Sequence, residues 1–314
     1  LTASIFHEPW WLSAVTGDGC KEVTVVRGGH VVGRLSYLTT RLGPFRVSRM
    51  PPFTHLLGPV VYAGVGKPQT QLSHRLSITR ELIDQLPDLS YFEQQLDPAI
   101  DGGLAVADGL AFQDRGYHVA PQYTFDLDCR QSPKDLWDAM HFKTRQHIRR
   151  AEEKYEVRTV DDPALFTEVC VKNTLRKGRA NRINFERFPT LFSECKTRQC
   201  GEILGAFAKD GAPVSMVYLV WDTRAMYYLL STRGHAPNDN GSVNLLIWAA
   251  MKRAHDLGLV FDLDGVYTSG SARFLSGFGG RVQTRLVVRR GRPLFSTLQY
   301  LKLRYTDNQT RFFT

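Results

Sequence analysis

Catalytic signatures are scarce in this chain. Its 314 residues contain no GxSxG, GxxxxGK[ST] or HExxH pattern, which withdraws support from hydrolase elbows, phosphate loops and metallopeptidase sites. The five cysteines, at 20, 129, 170, 195 and 200, are odd in number and form no CxxC pair, which argues against zinc ribbons and disulfide scaffolds. Nine histidines are scattered, with only His141 and His147 as near neighbours on one helical segment, and no metal site is expected. No run of eighteen apolar residues occurs, so no spanning helix is expected. The first eleven residues lack a basic n-region and do not begin with Met; no signal peptide and a trimmed start are expected, in a reducing cytoplasm.

What is present is an ordinary globular balance, 43% hydrophobic and 23% charged, which excludes wholesale disorder. The charge leans one way: forty Lys and Arg against thirty-one Asp and Glu leave +9. Such an excess speaks of partners rather than fold, and RNA, phosphorylated cofactors and anionic headgroups all qualify.

Hydrophobic patterning gives an α/β chain of mixed character. Strands are predicted at Glu22–Val26 and Val31–Thr39 around the Arg27-Gly28-Gly29 turn, then a helix over 68–85 and a strand at Tyr91–Leu96. The same order returns later: strands at 202–208, 213–221 and 226–231, a helix over 243–257 ended by Gly258, and a strand at 259–264. Hairpin, helix and strand thus occur twice, which predicts a duplicated unit. Between the copies, Ser132 as N-cap, Pro133 and Asp135 start a helix predicted to run to about Tyr155. It marks a domain junction, giving domains over 1–131 (with 290–314 packing back) and 132–289.

Five segments could carry chemistry, each with a plain structural alternative. On the helix 141–154, Arg145 and Arg149 share a face with Asp138 and Glu152, as salt-bridged surface does. Lys143, His147, Arg150 and Lys154 share a flank without carboxylates, which either holds phosphates or is simply solvated. The cluster Arg176–Arg182, including Lys177, Arg179 and Arg182, reads as an anion-binding loop or an exposed one. Gly241 and Ser242 open the helix 243–257, where free N–H groups suit pyrophosphate, while Asn240 or Ser242 could act only as a cap. Asp262 and Asp264 alternate on one strand face, fit either to orient an attacking amine or to open a turn. The run 269–280 is a ligand-closing or ordinary loop around Arg273.

Taken in order, four stretches of the chain resemble one group. Pro9-Trp10-Trp11-Leu12 is similar to its Pro-x-Trp-Leu opening, and Arg145–Glu152 to its Arg-x-x-Ile-Arg-[Lys/Arg]-Ala-Glu signature. Ala254–Gly258 with Phe261–Gly265 resembles Ala-x-x-x-Gly…Phe-Asp-x-x-Gly, and Arg273-Phe274…Phe278-Gly279 its closing Phe-Lys…Phe-Gly. The group is the Fem-like branch of the GNAT-fold transferases, and the resemblance runs from residue 6 to about residue 290.

That resemblance implies two tandem GNAT-like domains, each a mixed sheet flanked by helices. It implies transfer of an aminoacyl group from aminoacyl-tRNA onto a peptide or cell-wall or antibiotic precursor amine. The alternatives are an acyl-CoA-dependent N-acyltransferase and a non-catalytic RNA-binding module. No resident cofactor is expected, since the donor arrives as substrate. Asp262 and Asp264 are the expected catalytic pair. Arg179, Arg182, Tyr227, Tyr228, Arg273 and Phe278 are expected at the acceptor; Lys143, His147, Arg150, Lys177, Gly241 and Ser242 at the donor. Leu275 stands where the group's phosphate-binding lysine falls, which disfavours a nucleotide-linked cell-wall acceptor, and no [Gln/Arg]-x-x-Gly-x-[Gly/Ala] loop is present.

Overall fold

The computed structural model describes residues 3–62, 64, 66–99, 105–176, 183–233, 241–266 and 268–306. The elements in chain order begin with α1 (Pro9–Thr16), β1 (Cys20–Arg27), β2 (His30–Leu38), β3 (Thr40–Leu42), β4 (Phe45–Ser48) and β5 (Pro59–Val61). Next come α2 (Pro68–Asp84), β6 (Tyr91–Gln95), α3 (Ala105–Asp114), β7 (His118–Asp128), α4 (Pro133–Ala139), α5 (Phe142–Glu152) and β8 (Tyr155–Val160). The rest are α6 (Pro163–Arg176), α7 (Phe188–Thr197), β9 (Gly201–Ala208), β10 (Pro213–Trp221), β11 (Ala225–Arg233), α8 (Ser242–Asp256), β12 (Val260–Val266), α9 (Ser269–Ser276), β13 (Arg281–Gly291) and α10 (Pro293–Thr306).

Two compact units result: Leu1–Gln122 with the stretch from Thr284 on, and Tyr123–Gln283. The boundaries lie inside β7 and β13, ahead of the limits at 131 and 289 that the sequence suggested. In the first unit β1, β2 and β5 form one antiparallel sheet, and β3, β4, β6 and β13 neighbour one another in a second. Its core gathers Leu35, Ile78, Leu82, Phe92, Phe112 and Val288. Phe295 of α10 sits edge-on to Phe45, 5.2 Å between ring centroids, and joins this unit.

The second unit carries strands in the order β7-β12-β11-β10-β9-β8. β10 is buried from Val214 to Val220, because α8 packs on this sheet and α6 and α7 supply further cover. A strand covered on both faces reads as a continuous apolar run rather than an alternation. α8 likewise buries Leu245, Leu246, Ile247 and Trp248 in succession, more than the single stripe predicted, because it lies between the sheet and α5.

Two predicted elements change. The helix begun by Ser132, whose hydroxyl accepts from Asp135 N–H, ends at Ala139. Met140 is extended, and His141 N–H donates to Gly277 O at 2.9 Å before α5 begins. A tertiary hydrogen bond therefore splits one periodic pattern into two helices. The run 269–280 is helical over its first eight residues, nucleated by a reciprocal capping box between Thr268 and Ser271.

Candidate active site in the second unit

A parallel strand pair stands at the centre of the second unit's sheet. β11 and β12 are in register from Ala225↔Val260 to Tyr227↔Asp262, and the pairing stops there. β12 instead continues with β7 through a bulge between Asp262 and Gly265. In open α/β sheets ligands collect outside the carboxyl ends of strands, where neighbours diverge.

Arg233, the last residue of β11, lines a cavity of about 780 Å³ together with His141, Lys143, Thr144, His147, Gly241, Asn244, Arg273 and Phe274. Five of these carry cationic or imidazole side chains, and no carboxylate stands among the described lining residues. Two helix N-termini contribute, since α5 is capped by His141 and α8 by Gly241. The dipoles of the two helices add to the positive field. Such a site selects anions of phosphate or carboxylate type.

Close backbone approach holds this arrangement. A Cβ on Gly241 would come within 3.0 Å of the His147 carbonyl carbon, at φ +153°. Gly277 approaches Thr144 so closely that a Cβ would meet its Oγ1 at 2.5 Å. Glycines at both positions let α8 and α9 press against α5.

Of the residues singled out in the sequence, Lys143, His147, Gly241 and Arg273 come together in this cavity. Arg150 is exposed on α5 and is not among the lining residues. Ser242 is fully buried as the first residue of α8 and does not cap it; Gly241 holds the cap position without a side-chain bond. Phe278 is core, with 1% exposure, and Tyr227 is buried with its hydroxyl donating to Asp222 Oδ2 at 3.0 Å. Tyr228 packs toward Phe261, and burial pushes its phenol up to about 12. It is therefore a proton donor, not a base, at neutral pH. Lys177, Arg179 and Arg182 lie outside the described residues.

The alternation expected at Asp262 and Asp264 fails at the bulge. Asp264 adopts φ +65°, and its N–H donates to Asp262 Oδ1 at 2.7 Å. The Thr124 hydroxyl points at the same Oδ1 (2.6 Å) and at Asp264 O (2.7 Å). One Asp262 oxygen is thus committed to the backbone kink. The predicted pairing of Arg145 with Asp138 also gives way: the helix break turns Arg145 into a C-terminal cap, its Nη1 donating to Trp137 O (3.3 Å) and Asp138 O (3.1 Å). Asp138 pairs instead with Lys134 at 2.9 Å.

Sequence reading did not single out Arg233, Asn244 or Thr144, while Gly277 fell within its ligand-closing run 269–280. Arg233 ends a strand that the sequence pattern closed at 231, so the signal available was only its place shortly before the α8 segment, where the crevice rule places ligand contacts. Among the described residues no group of three or more His, Cys, Asp or Glu is placed to hold a metal ion. No cysteine lines the cavity; burial raises Cys20 and Cys170 to about 11 and Cys129 to about 12.

Residues 141–273 match the acetyltransferase (GNAT) domain family, a span that begins and ends on two cavity-lining residues. Over 93% of both chains the structure is similar to FemX, with 13% identity and a TM-score of 0.67. The chain has the Fem-like GNAT fold. Other similar structures of this fold are L-PGS from Bacillus licheniformis (14% identity, 93% and 90% of the chains, TM-score 0.57) and a tandem GNAT protein from the clavulanic acid biosynthesis pathway (13%, 87% and 83%, 0.51). No curated protein matches in sequence. The GNAT domain match lies wholly within the second unit. Among the described residues no helix is long and apolar enough to cross a membrane.

Proposed function

We propose that this chain is an acyltransferase that forms an amide bond, taking an aminoacyl group from aminoacyl-tRNA and placing it on the amine of a peptide or related precursor. The observation that carries the reading is the cavity of about 780 Å³, rich in cationic side chains at the opening of α8. FemX and L-PGS as structural neighbours favour the tRNA donor.

An aminoacyl ester is already activated. The acceptor amine attacks the ester carbonyl, a C–N bond forms, the C–O bond to ribose breaks, and the proton lost by the amine ends on the ribose hydroxyl. The chain must therefore supply position, charge and a dry approach rather than a nucleophile. Lys143, His147, Arg233 and Arg273 hold the donor's phosphates. Asp264, set in a left-handed conformation where β11 and β12 part, is the carboxylate assigned to orient the amine; Asp262 holds the kink that presents it.

A second reading is an N-acyltransferase that uses acyl-CoA, favoured by the convergence of the α5 and α8 N-termini on one cavity, which suits a pyrophosphate. Binding of bulk tRNA and of coenzyme A across a salt series separates the two. Tight tRNA binding that weakens steeply with salt, with no response to coenzyme A, supports the tRNA reading; the reverse result replaces it. RNA binding without any aminoacyl transfer would leave a binding module only.

A further inference from the structure

α5 has a second side. Away from the cavity at α8, its residues Phe142, Arg145, Gln146 and Arg149 join Trp137 and Asp138 of α4 around a separate hollow of about 440 Å³. The break at Met140–His141 creates it, because α4 and α5 no longer form one rod. Phe142 keeps 59% of its surface exposed there, an unusual place for a large ring.

Cations and rings alternate along this face. The Arg149 guanidinium lies 5.5 Å over the Trp137 ring, Trp137 lies 5.2 Å from Trp248, and Lys252 Nζ lies 5.5 Å over Trp248. Among the described residues neither Arg149 nor Lys252 has a carboxylate partner, and the one carboxylate at the hollow, Asp138, is held by Lys134. Interleaved basic and aromatic side chains are the chemistry of single-stranded nucleic acid, with bases stacking on rings and phosphates on guanidinium groups. The Gln146 amide adds a donor and an acceptor for a base edge.

We propose that the α4–α5 hollow binds an unpaired nucleotide of an RNA whose neighbouring phosphates enter the α8 cavity, with α5 as the ridge between the two. The base stacks on Phe142 or Trp137, and Arg149 neutralises the phosphate. This rests on the tRNA reading but assigns a site outside the GNAT cavity, and commits to RNA as the occupant. Lys143, adjacent to Phe142 and 5.9 Å from its ring centroid, links the two sites along one helix.

The test titrates a short single-stranded RNA oligonucleotide into the full chain and follows tryptophan fluorescence, with inorganic pyrophosphate titrated by calorimetry as the control for the α8 cavity. Phe142→Ala and Arg149→Ala remove exposed side chains, so both should keep the wild-type Tm. The expected result is RNA affinity roughly tenfold weaker in each, with pyrophosphate affinity unchanged. RNA affinity unchanged in both variants would overturn this site while leaving the tRNA reading standing. No RNA binding by the wild type would overturn the tRNA reading, and the site with it. Coenzyme A affinity that falls in the same two variants, with RNA unaffected, would reassign the hollow to the other donor.

Discussion

Gly241 stands directly against the His147 carbonyl, where a side chain would fall inside van der Waals distance of the oxygen. That contact fixes the start of α8 to the middle of α5 and so sets the width of the basic cavity. Gly241→Ala therefore adds a steric conflict to an unfavourable φ of +153°, and the obstructing atoms are helix backbone that cannot rotate aside. A loss on the order of 2 kcal/mol is expected, visible as a Tm several degrees lower, together with weaker pyrophosphate binding. Gly277→Ala should be milder, because the atom it meets is the Thr144 hydroxyl at 2.5 Å. Equal Tm values for Gly241→Ala and wild type would refute the close approach.

Arg273 separates charge from stability. It is exposed near the end of α9 and lines the cavity. Arg273→Ala should leave thermal stability within about 0.5 kcal/mol of wild type. Removing one charge-assisted contact should weaken pyrophosphate binding by about 1.5–3 kcal/mol, roughly ten- to a hundredfold. Calorimetric titration showing the same affinity in the variant would remove Arg273 from the anion site.

Much of this architecture was legible in the chain. Periodicity located α2 and α8 to within a residue or two, and Ser132 and Pro133 announced the start of α4, because propensity and capping are local. The split at Met140–His141 was not legible: it depends on Gly277, more than a hundred residues away, accepting from His141 N–H. Arg233 fell two residues past the strand predicted to end at 231, whereas β11 runs on to Arg233 and carries it to the cavity. At 262–264 the alternation rule assumed a flat strand, and Thr124 on β7 supplies the hydroxyl that helps to hold the bulge.

Thr124 and Asp262 give that bulge a direct test. Thr124→Val removes the hydroxyl shared by Asp262 Oδ1 and Asp264 O, and should cost about 1–3 kcal/mol with a fall in aminoacyl transfer. Asp262→Asn keeps an oxygen for the Asp264 N–H and should retain most stability, whereas Asp262→Ala should not. Asp264→Asn should lower turnover while leaving Tm near wild type. If Asp262→Asn proves as inactive as Asp264→Asn at unchanged Tm, Asp262 acts on the substrate rather than on the kink.

The Glu202–Arg253 contact, 3.2 Å long, carries a pH signature whose sign is informative. Burial raises the Glu202 carboxyl above its ordinary value of 4.5, and the attraction of Arg253 only partly offsets this. A carboxyl raised in the folded state favours folding while protonated, and that contribution is lost as the pH climbs through the raised value. Wild-type stability should thus fall, relative to a Glu202→Gln variant that cannot titrate, as the pH rises from about 4 to 7. The slope of the difference in Tm is the observable, because the absolute offset also contains the lost ion pair with Arg253. A slope of opposite sign, with wild type gaining on the variant as the carboxylate forms, would mean that Arg253 outweighs burial and that the pair is a net stabiliser of β9 against α8.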